Sequence, residues 1–99
     1  MEEADFVIHV FVVYQGVVLI SRAWMKRNDN LVEELVHNTE TFLIDVVFRV
    51  PKLRHRNQLV KRIHHLAKKV VDIDMFVIKE VLNGLEILNK VTLLREESI

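Results

Sequence analysis

Residues Phe6 to Trp24, FVIHVFVVYQGVVLISRAW, form the longest apolar run of the chain, with no charged side chain between Asp5 and Arg22. Two blocks rich in Val, Ile and Phe flank Gln15-Gly16. A glycine-containing dipeptide between β-branched blocks predicts a β-hairpin with a two-residue loop. If Tyr14 pairs with Val17, side chains alternate across the strands. Phe6, Ile8, Val10, Val12, Tyr14, Val17, Leu19 and Ala23 then take one face, and Val7, Phe11, Val13, Val18, Ile20 and Trp24 take the other. Both faces are apolar, so both must be covered, one by the domain itself and the second by more of the domain or by another copy. Val7, Phe11, Val13, Val18, Ile20 and Trp24 are therefore the expected dimer interface.

Ninety-nine residues make a single domain, 1–99, large enough for one core without metal or disulfide staples. The chain has no Cys, which excludes disulfides, thiolate metal sites and cysteine nucleophiles and fits a reducing, cytoplasmic interior. Mean hydropathy is positive despite 28% charged residues, again pointing to buried association surface. The uncharged run is short of the roughly 20 residues of a membrane helix and is interrupted at Gln15-Gly16. Its acidic front, Glu2, Glu3 and Asp5, is unlike the basic flank of a signal peptide. No membrane partner is expected.

Beyond a polar turn at 25–30, Asn30 with Glu33 three residues on has the capping-box pattern, and Leu31, Val32, Leu35, Val36, Thr39, Phe42 and Leu43 recur at helical spacing. A helix is predicted over 30–42. Leu43 to Val50, β-branched and stopped by Pro51, reads as a strand. After a loop at 52–56, Asn57 caps a second predicted helix over 58–71, with Leu59, Val60, Ile63, Leu66, Ala67, Val70 and Val71 inward. The segment 74–94 admits two readings. Asn83-Gly84 between apolar blocks is a strong type I′ hairpin signal; Met75, Ile78, Leu82 and Leu85 also fit a helical period. The β-branched content favours the hairpin. The expected fold is α+β: an antiparallel sheet of two β-hairpins and a central strand, covered by two helices, in the order ββαβαββ. No internal repeat stands out.

Function is less legible. Eight of the fourteen Lys and Arg residues lie between Arg49 and Lys69, and no Asp or Glu occurs between Asp45 and Asp72. Arg54, Arg56, Lys61, Arg62 and Lys68 are the candidate contacts to nucleic-acid phosphates, with double-stranded DNA as the partner, since the island has no aromatic residue for stacking on single-stranded bases. The competing account is a solvated amphipathic face. A metal reading is poor. Adjacent His64 and His65 diverge by about 100° on a helix, and Glu34-x-x-His37 is a single copy where carboxylate-bridged di-metal bundles need two. His9 and Ser21 fall on opposite hairpin faces, and the only glycines, Gly16 and Gly84, make no phosphate loop. Neither an enzyme, a cofactor nor a small-molecule substrate is expected.

Two resemblances accompany these observations. VFVVYQGVVLISRAW, LVEELVHNTETF and VIKEVLNGLEI together resemble the small longin domains of vesicle-coat adaptors. The opening MEEADFVIHVFVVYQG, the Val-rich body and the absence of Cys are similar to small orphan proteins of filamentous double-stranded-DNA viruses of hot-acid archaea, the lipothrixvirus kind. That likeness implies a heat-resistant viral accessory protein in the host cytoplasm and assigns no site residue. The reading of the chain is a non-enzymatic, homodimeric accessory or interaction protein; the alternative is a duplex-binding protein using segment 49–69.

Overall fold

In the computed structural model, which describes residues 3–24, 30–48, 53–70 and 75–97, the chain is a bundle of four helices. They are α1 (Glu3–Trp24), α2 (Asn30–Phe48), α3 (Leu53–Lys69) and α4 (Met75–Glu97). No strand occurs among the described residues, so the α+β expectation is overturned. The Phe6–Trp24 hairpin is α1, the central strand is the C-terminal part of α2 as far as Phe48, and the 74–94 hairpin is α4 from Met75 onward. The predicted helix at 30–42 lies inside α2, and that at 58–71 coincides with α3 as far as Lys69. The loop at 52–56 is helical from Leu53 on. Asp74, Val71, the polar turn at 25–29, Arg49 to Lys52 and the last two residues lie outside the described residues.

The glycines explain why two apolar blocks around a Gly are helices here. A Cβ built on Gly16 would overlap the Cγ2 of Val81, and one built on Gly84 would overlap the Cγ2 of Val13. Each glycine is the seat for a valine of the other helix. The residue numbers of the two contacts have the same sum, as antiparallel packing requires. The pattern repeats in sequence: Val13-Tyr14-Gln15-Gly16-Val17 matches Val81-Leu82-Asn83-Gly84-Leu85. A mid-helix glycine costs about 0.5–1 kcal/mol relative to Ala, an amount that close interdigitation of two apolar helices offsets. At the end of the pair, the Arg95 guanidinium sits 4.4 Å from the centroid of the Phe6 ring, a cation–π contact.

α1 packs on α4 and α2, and α3 on α2 and α4, so α1 and α3 occupy opposite corners. Val13, Val17, Phe42, Val46, Ile63, Leu85 and Leu88 fill the centre. Buried hydroxyls are satisfied within their own helices: Thr39 donates to the Leu35 carbonyl and Thr92 to that of Leu88, each at 2.7 Å. Asn89 Nδ2 donates to Asn57 Oδ1 at 2.8 Å, linking α4 to α3.

Candidate functional site

Two surfaces stand out, and they lie on opposite sides of the bundle. The first is the outer side of α1. Because α1 is apolar around its whole circumference, burying Val13, Val17 and Ile20 leaves Val7, Ile8, Phe11, Tyr14 and Leu19 in solvent, each more than half exposed. On one flank a groove lined by Val7, Val10, Phe11, Tyr14, Leu43, Ile44, Val47 and Phe48 runs between α1 and α2. On the other, Phe11 and Leu19 line a groove shared with Phe76 and Val77 of α4. Phe11 is 58% exposed and lies on both. Phe48 at 68% and Phe76 at 71% mark the edges.

The expected dimer interface is therefore corrected in part. Val7 and Phe11 are on the exposed face, and Val18 is half-buried beside it. Val13 is 0% and Ile20 3% exposed, both committed to the core. The strand alternation placed them outside, whereas a helix turns them inward beside Gly16. The side chain of Trp24 lies outside the described residues. Exposed Tyr14, Ile44, Val47, Phe48 and Phe76 were missed, because they belong to one face only when α1, α2 and α4 are helices.

The second surface is α3. Arg54, Lys61, Arg62, Lys68 and Lys69 are exposed along it, with His65 among them and no acidic residue anywhere in the helix. Arg56 departs from expectation: it is 0% exposed and belongs to the core. It shares a helical register with Leu59, Ile63, Leu66 and Val70, so its 3–4 spacing was the signal that it faces inward. Beside it, α2 carries Glu33, Glu34, Glu40 and Asp45 and no Lys or Arg. Where the two helices meet, His55 Nε2 is 3.5 Å from Asp45 Oδ2, a carboxylate whose side chain is only 12% exposed. His64 Nε2 reaches Glu86 Oε1 of α4 at 3.3 Å. These pairs tie α3 to its neighbours by its flanks and leave its outer cations to solvent.

No protein-family model, curated protein or solved structure matches this chain. The comparisons carry neither resemblance further, and function rests on the two surfaces.

The remaining candidates do not assemble. Among the described residues no three His, Asp or Glu side chains converge as metal ligands would. His9, whose Nδ1 lies 2.7 Å from the Asp5 carbonyl, is twelve residues from Ser21 on a continuous helix. At 1.5 Å per residue that separation is about 18 Å, far beyond hydrogen-bond reach. The premise that the N-terminal run is too short and broken for a membrane is also corrected. Ala4–Ala23 is one uninterrupted 20-residue helical stretch, apolar and long enough to cross a bilayer by length and composition, and 22% of it is buried.

Proposed function

We propose that this protein is a non-enzymatic, cytoplasmic interaction module that associates with itself through the outer face of α1, with Ile44, Val47, Phe48 and Phe76 at its flanks. The observation that carries this reading is the wall of exposed apolar side chains centred on Phe11, with Glu40 and Glu80 at its margins. Nine apolar side chains about half to two-thirds exposed, aromatics offering ~150–250 Å² each when fully buried, present roughly the 800 Å² that one partner supplies to a standard interface. A two-fold axis at Phe11 sets Phe11 against its own copy and Ile8 against Tyr14 of the second copy, the self-complementary arrangement of an isologous dimer. Net charge is zero, so two copies approach without overall repulsion.

Insertion of α1 into a membrane is the competing use of the same residues. Against it stand the contacts on the inner side: Val13, Val17, Ile20 and Gly16 are packed into the bundle, and extracting α1 would expose the matching surface of α4.

Sedimentation equilibrium tests the reading. The wild type sediments as a dimer, and Phe11→Asp or Ile44→Asp yields a monomer with unchanged helical circular dichroism, because both positions are exposed. A wild type that is monomeric, or that floats with neutral phospholipid vesicles, refutes it.

A further inference from the structure

We infer that the outer face of α3 binds the phosphate backbone of double-stranded nucleic acid, and that the dimer thereby bridges two duplexes; the bridging rests on the self-association proposed above. Arg54, Lys61, Arg62, Lys68 and Lys69 line an exposed stretch of α3 with no carboxylate in that helix. From Arg54 to Lys69 the helix rises about 22 Å, alongside a duplex that carries a charge every ~1.7 Å of its axis. The first turn reinforces this. It holds Arg54 and no acidic residue of its own, and the Asp45 carboxylate of α2 meets it on its inner flank at His55, leaving Arg54 on the outer side to a phosphate. α3 has no aromatic residue, which removes base stacking and leaves backbone recognition of a duplex.

The placement of the face adds the second step. α3 lies at the corner of the bundle opposite α1. A dimer closed through α1 points its two basic faces away from each other, about two bundle thicknesses apart, with the minor dimensions of each bundle 25 and 19 Å. A straight duplex cannot run along both faces, so each takes its own.

Fluorescence anisotropy with a random-sequence duplex tests the contact, and capture of a free labelled duplex by one fixed on beads tests the bridge. With about four phosphates neutralised, affinity falls on the order of 10²-fold from 50 to 200 mM salt. Replacing Arg54, Lys61, Arg62 and Lys68 together by Gln flattens that dependence and removes most of the binding. Phe11→Asp retains duplex binding and loses capture. Absence of wild-type binding at 50 mM salt overturns the inference while leaving self-association standing, and so does binding to phosphatidylserine vesicles without binding to duplex. A protein that sediments as a dimer and binds duplex without capture overturns the bridging step. Capture by a protein shown to be monomeric overturns its dependence on the α1 face.

Discussion

At Gly16 the usual rule for helices reverses. Replacing a mid-helix glycine by Ala ordinarily gains about 0.5–1 kcal/mol, yet a Cβ here would overlap the Cγ2 of Val81. Overpacking of a filled core costs about 1–3 kcal/mol. Gly16→Ala is therefore expected to lose a net 1–2 kcal/mol or so and to lower the thermal midpoint by roughly 4–16 °C for a domain of this size. In a Val81→Ala background the same substitution costs less, since the methyl that it meets is gone, and a double-mutant cycle measures that coupling. A thermal midpoint that rises with Gly16→Ala alone would show that α1 and α4 do not approach each other at this point. Gly16 and Gly84 are also where reading the residues alone misleads. A glycine between β-branched blocks is a turn signal locally, and only the partner helix reveals it as a point of close approach.

Among the elements, the four helices divide into two kinds, and that division decides what could be read in advance. α2 and α3 mix apolar and polar residues at helical spacing, so Leu35, Val36, Phe42, Leu59, Ile63 and Leu66 announce both the helix and its inner face. In α1 and α4 the apolar residues are not confined to one stripe, and the many Val and Ile favour strands by propensity. The helix penalty of such residues is only a few tenths of a kcal/mol each, and packing overrides it. The likeness of the pentads Val13–Val17 and Val81–Leu85 acquires its meaning only once both segments are helices and each glycine is seen to seat the other's valine. The basic character of α3 was visible in sequence; the loss of Arg56 from its surface required the correct start of the helix. Arg54 lies in that first turn, where a cation opposes the helix dipole. Arg54→Glu is thus expected to stabilise the bundle by about 0.3–1 kcal/mol and to weaken duplex binding at the same time. Calorimetry and anisotropy on one variant check both signs, and a drop in stability would remove the dipole from the account of α3.

The whole molecule has an apolar side and a basic side, set at opposite corners by a bundle in which α1 and α3 are diagonal. The apolar side supports association with a second copy and the basic side supports a polyanion, so one geometry serves both proposals. The most direct measurement is disulfide trapping in the cysteine-free chain. Phe11→Cys places a single thiol near the proposed two-fold axis, where a disulfide needs Cβ atoms about 3.5–4.5 Å apart. Gln58→Cys places an exposed thiol on α3, at the far corner. Under mild oxidation at low protein concentration, Phe11→Cys is expected to form a covalent dimer rapidly while Gln58→Cys stays monomeric on a non-reducing gel. Equal rates for the two, or no cross-linking at Phe11→Cys, would contradict self-association through the outer face of α1.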